Sequence, residues 1–135
     1  MKMIGMKKGQ SMVEFALILP LLILMLIVLF DLGRAVLVYS TLNNAVREGT
    51  RYAVVRQGGG NVDDIKGQIR SYYFNMKDVY DNSIITITLA GTPTDPKRRI
   101  QISYLFTPIT PLVTLITGPI TINVRSEMFI TPFAK

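Results

Sequence analysis

Few residues in this chain could do chemistry, and their types limit which chemistry that is. There is no His and no Cys, which removes imidazole acid–base work, thiol nucleophiles, disulfides and the usual zinc ligand sets. Among the carboxylates, Asp63 and Asp64 suit a helix start, and Asp78, Asp81, Asp95 and Glu127 suit turns and strand ends. No Ser or Tyr has a base partner in the pattern. Gly58 to Gly60 form a triple glycine, but no Lys-Ser/Thr follows and no strand-like run precedes it, so it reads as a connector and not a phosphate cradle. The sequence therefore predicts no enzyme, no cofactor and no metal. The formal charge is +6, with 15 basic against 9 acidic residues. Lys2, Lys7 and Lys8 lie before an apolar run, and without those three the excess falls to +3. An excess that small, with Lys97, Arg98 and Arg99 read as a solvated strand start, predicts no nucleic-acid partner.

One titratable residue is out of place: Glu14, at the edge of the uncharged run Phe15 to Phe30. A carboxylate in lipid costs free energy unless it is paired or reaches the interface. Its surroundings must be an anchor. With Met12 and Val13 the run has about the length that crosses a hydrocarbon core of ~30 Å at ~1.5 Å per helical residue. The flank before it carries three lysines and no acid, which keeps the N-terminus in the cytoplasm and places everything after Asp31 outside. The run is longer than a signal-peptide core, and no small-x-small cleavage site follows it at Asp31-Leu32-Gly33-Arg34. Pro20 should kink or loosen the helix locally.

The residues around Glu14 resemble the processing motif of type IV pilin-like proteins of the Tad (Flp-type) branch. Gly9 is followed by four residues, then Glu14, then the aromatic Phe15, where that family more often has Tyr. Gly5 competes poorly, because the fifth residue after it is Gln10, not an acid. The resemblance implies a prepilin peptidase cut between Gly9 and Gln10. A new α-amine at Gln10 would then pair with the buried carboxylate of Glu14 on a neighbouring subunit, each charge offsetting the other in lipid. Glu14 and Phe15 are thus expected to be assembly contacts.

Beyond the anchor the helical period continues without proline to Arg56. An apolar seam is expected at Leu32, Val36, Tyr39, Leu42, Val46, Gly49 and Ala53, with Arg34, Thr41, Asn44, Glu48 and Arg51 largely opposite. One helix is expected from about Ser11 to Arg56, unbroken at Gly33. The stretch Ala45-x-x-Glu48-Gly49-x-Arg51-Tyr52-Ala53 is similar to the TadE-like family of Tad pseudopilins. Ala45, Gly49 and Ala53 share a face at four-residue spacing, open either to close approach by another element or to packing of the chain's own sheet. The resemblance implies a pseudopilin or minor pilin of a Tad-type pilus or secretion apparatus. Its partners would be prepilin peptidase, other pilin-like subunits, Tad assembly-platform proteins and the cytoplasmic membrane. An uncleaved, membrane-anchored extracytoplasmic binding domain is the alternative.

The expected organisation is a basic leader (1–9), a transmembrane helix (10–30), its extracytoplasmic extension (31–56) and an outer domain (57–135). In that domain Asn61 should cap a short amphipathic helix running to about Phe74. Three period-two runs, Ser83 to Leu89, Arg98 to Phe106 and Ile120 to Ile130, predict strands. The first two are joined by a hairpin loop at 90–96. The fold class is α+β and pilin-like, an antiparallel sheet of about three strands covered by the outer half of the long helix. Thr107 to Pro119 is apolar, uncharged and bracketed by prolines. It is read as an exposed interaction patch, a buried connection, or a short helix lying on the membrane surface.

Overall fold

The computed structural model describes residues 6–56, 61–73, 76–89 and 97–129. The order of elements is α1 (Met6–Val55), α2 (Val62–Ser71), α3 (Lys77–Asp81), β1 (Ser83–Thr88), β2 (Lys97–Phe106), α4 (Pro111–Thr117) and β3 (Ile120–Phe129). The fold is α+β, with the long N-terminal helix, a short second helix and a three-stranded antiparallel sheet in the order β1-β2-β3.

Helix α1 is one piece of 50 residues, roughly 75 Å at about 1.5 Å per residue, and it runs through both Pro20 and Gly33. It starts five residues before the expected Ser11, so Gly9 and Gln10 are helical. Helix α2 is capped as its composition requires. The Asn61 side chain accepts from the Asp63 amide at 3.4 Å, and Asp63 and Asp64 occupy the positive first turn. It ends at Ser71, short of Phe74, so Tyr72 and Tyr73 lie in the turn that follows. Tyr73 is nevertheless buried, edge-on to Tyr80 of α3 at 5.2 Å. The glycine connector 58–60, Phe74, the loop 90–96 and Ile130 lie outside the described residues.

The register explains the alternation read from the strands. Ile85 faces Ile102, Ile102 faces Val124, Ile87 faces Ile100, and Phe106 faces Ile120. Ile100, Ile102, Phe106 and Val124 are buried on the inner face, while Thr86, Gln101, Asn123 and Arg125 point to solvent. Helix α1 covers the inner face over β2 and β3, and α2 packs beside it. The core joins Val38, Leu42, Ala45, Val46 and Ala53 of α1 to Ile65 and Ile69 of α2 and to the sheet isoleucines.

The seam on α1 differs from the expected one in its first half. Leu42, Val46, Gly49 and Ala53 are buried, but Leu32, Val36 and Tyr39 are exposed. Val38 and Thr41 take their place, and Thr41 had been assigned to the opposite side. One residue is a rotation of about 100° on a helix of 3.6 residues per turn. The side that faces the domain below Leu42 is therefore the side carrying Asp31, Arg34 and Val38. Two of those three are charged, which is why hydrophobic periodicity misses them.

The basic cluster at the start of β2 is also not a solvated patch. Arg98 is buried, and its guanidinium donates to the Ala53 carbonyl in the last turn of α1. That carbonyl has no partner within its own helix, and α1 has no basic residue in its last turn. Arg99 points to the other face and pairs with Glu127, its cross-strand neighbour, at 2.7 Å. Helix α3 and the short helix α4 complete the elements among the described residues.

Candidate functional site

Gly9, Glu14 and Phe15 sit on a helix surface that no described residue covers. Every residue from Gly9 to Phe30 is exposed, including Glu14 and Phe15. Among the described side chains Glu14 makes no ion pair, and no described atom lies within 4 Å of where a Cβ on Gly9 would be. Such a helix, apolar all round and unburied, is stable only in an apolar surrounding. It meets the length and hydropathy of a membrane span, with a mean hydropathy of 2.9 over its most apolar window.

The second motif lies about eight turns further along, and the structure divides it between two faces. Ala45, Gly49 and Ala53 are buried under the chain's own domain. A Cβ on Gly49 would stand 2.6 Å from Ile69 Cγ1 and 3.3 Å from Ile100 Cδ1, so α2 and β2 pack against bare backbone there. Glu48 and Arg51 lie on the outer face and pair at 2.8 Å. Tyr52 is half-buried and carries Arg56, which stacks 5.3 Å above its ring, donates to its hydroxyl and reaches Asp64 at 3.4 Å. Tyr52 thus links the end of α1 to the start of α2.

Between the two motifs is a joint that sequence reasoning did not find. The Asp31 carboxylate accepts from the backbone N–H groups of Ile109 at 3.0 Å and Thr110 at 2.8 Å. One turn later Arg34 donates to the Thr107 carbonyl at 2.9 Å and lies 4.7 Å over the Phe106 ring. The two charges clamp the connection between β2 and α4 onto α1. The α4 N-cap residue, Thr110, makes no side-chain capping bond of its own. An acid and a base three residues apart at the end of the uncharged run are visible in the sequence. Their partner, more than 70 residues away, is not.

No group of three or more His, Cys, Asp or Glu among the described residues could hold a metal ion.

Comparison with known proteins agrees with the motifs. The model of a family described as TadE-like protein matches residues 9–51, from the glycine of the processing motif to Arg51. The resemblance to the TadE-like family therefore stands over that stretch, about a third of the chain. Among the described residues, α1 is the one helix long and apolar enough to cross a membrane, and the matched stretch contains that apolar run. No curated protein and no solved structure matches the chain.

Proposed function

We propose that this chain is a TadE-like pseudopilin or minor pilin of a Tad-type pilus or secretion apparatus. It is inserted with its N-terminus in the cytoplasm, processed by prepilin peptidase between Gly9 and Gln10, and packed through its apolar helix against other pilin-like subunits. The carrying observation is that the TadE-like match begins at Gly9 and covers a helix whose first 22 matched residues, Gly9 to Phe30, are all left exposed by the described residues. Those residues require either lipid or the apolar helices of neighbouring subunits.

The roles follow from the chemistry. Cleavage removes Lys2, Lys7 and Lys8 and leaves an ammonium at Gln10, four residues from the Glu14 carboxylate. Both charges are costly in an apolar surrounding and offset one another across a subunit contact. Phe15 extends that contact. The Gly9–Gln10 bond lies in the first turns of α1. Local unwinding is needed to present it to a protease, and glycine lowers that cost by about 1 kcal/mol relative to alanine.

The test is the N-terminal residue of the protein purified from its host's membranes. Gln10 at the mature terminus is expected. A mature chain that keeps its leader lysines would overturn the reading in favour of an uncleaved, anchored binding domain. Glu14→Ala should leave insertion intact and reduce recovery in the assembled structure; unchanged assembly would remove the role given to Glu14.

A further inference from the structure

The connection between β2 and β3 presents an uncharged, largely aliphatic surface. Residues 107–119 carry no charge. Ile109, Leu115 and Ile116 are 71%, 84% and 77% exposed, a larger exposure than at most aliphatic positions of the anchor itself. The hydroxyls of α4 are taken by carbonyls of its own segment. Thr114 Oγ1 lies 3.0 Å from the Thr110 carbonyl and 3.1 Å from that of Pro108, and Thr117 Oγ1 donates to the Val113 carbonyl at 3.0 Å. The entry amides are taken by Asp31, and Arg34 satisfies the Thr107 carbonyl. The large side chains that remain outward are aliphatic. The turn out of α4 is made at Gly118, whose φ of 63° is a conformation that favours glycine.

Position decides what covers this surface. Thr110 and Pro111 line one open apolar groove of about 610 Å³ together with Leu19, Pro20, Leu24 and Ile27 of α1. The start of α4 therefore lies alongside the uncharged run of α1, below its last residue Phe30, and its apolar surface is continuous with the surface that faces lipid.

We propose that α4 is a second membrane contact, with Ile109, Leu115 and Ile116 embedded in the acyl region of the leaflet on the domain's side. Lipid, not a protein partner, is the occupant. A helix whose Thr114 and Thr117 hydroxyls bond its own backbone and whose large exposed side chains are aliphatic fits hydrocarbon, which offers no hydrogen bonds. This fixes the tilt and depth of the outer domain relative to the bilayer. It rests on the single membrane span and not on processing after Gly9.

The chain has no cysteine, so single labelling sites are clean. The full chain is reconstituted into phosphatidylcholine–phosphatidylglycerol vesicles with an environment-sensitive fluorophore at Leu115→Cys, Ile116→Cys, Leu24→Cys or Ile84→Cys. Ile84 is a control, exposed on the outer face of the sheet. Lipids with a nitroxide high on the acyl chain should remove most of the fluorescence at positions 115 and 116 and leave position 84 unchanged, with aqueous iodide doing the reverse. Iodide quenching at 115 and 116 equal to that at 84 would overturn the proposal. Protection from iodide without lipid quenching, lost on dilution with lipid, would also overturn it and identify a second copy as the occupant. Position 24 separates the two levels of the claim. Its quenching by deeper nitroxides reports the span itself, so failure there defeats the anchor, while failure only at 115 and 116 defeats the α4 contact.

Discussion

Residues 15–30 and residues 38–53 of helix α1 are both rich in aliphatic side chains, yet the first set is exposed on every side and the second is buried along one seam. The difference lies in the pattern around the helix. The first half has no polar face, so no rotation could present a hydrophilic side to water. The second half places Arg47, Arg51 and Asn44 away from the seam, so one side can be covered by a small domain while the other stays wet. One continuous helix thus joins a region that needs an outside partner to a region that has an internal one.

The largest expected effect tests that division. Leu42 is fully buried, and Leu42→Ala should destabilise the outer domain by about 2–5 kcal/mol. Leu22→Ala, of similar chemistry but in the exposed half, should change domain stability by less than about 0.5 kcal/mol. Guanidinium unfolding in mild detergent, followed by the near-UV circular dichroism of the tyrosines, measures both. Equal losses would mean that the two halves are not independent.

The next effect concerns how close the domain comes to α1. Gly49→Leu places carbon where Ile69 and Ile100 already stand. It should cost about 1–3 kcal/mol in the same unfolding experiment, because neither neighbour can retreat without disturbing the core. A neutral result would show that the small-residue face is open and free to receive another subunit.

A smaller loss is expected from Arg98→Met. The methionine keeps most of the buried stem, while the hydrogen bond to the Ala53 carbonyl is lost. That exchange should cost about 1 kcal/mol. Amide exchange should rise in the last turn of α1 and not in its apolar half. Exchange raised along the whole helix would show that its end is not held locally.

Much of this architecture was legible because it depends on period. The three strands, the capped helix at Asn61 and the uncharged run announce themselves through alternation, a short polar side chain and the absence of charge. The joint at Asp31 and Arg34 was not legible, since both residues act on a segment more than 70 positions away. The same holds for Arg98, whose place beside two other basic residues suggested solvent, while its partner is a carbonyl of α1. In each case a helix end or entry segment is satisfied by a charged side chain from a distant element. Local composition records the charge and not the fold that brings it there. At the candidate site, the spacing of Gly9, Glu14 and Phe15 carried the resemblance. The exposed surface those residues share became visible only with the domain in place.

The smallest effect lies on the wet side of the outer domain. Arg99 donates to the Glu127 carboxylate at 2.7 Å, and Arg125 reaches the same oxygen at 3.3 Å. The Arg99 hydrogen bond, with the positive charges of Arg99, Arg125 and Lys97, holds the Glu127 carboxyl below its ordinary value of 4.5. A group depressed in the folded state stabilises it fully above the ordinary value. That stabilisation is lost as pH falls through the depressed one. Stability of the native protein should therefore decline on acidification below about pH 4.5, and Glu127→Gln should flatten that part of the decline. The pair is partly exposed, so the difference should shrink with added salt. If the Gln variant keeps the full acid slope, the pH sensitivity belongs to another carboxylate. Asp31, whose carboxyl is also held below its ordinary value by hydrogen bonds from Thr110 and the Ile109 amide, is then the one to exchange next, and a slope that follows it would trace the pH sensitivity to the joint between α1 and α4.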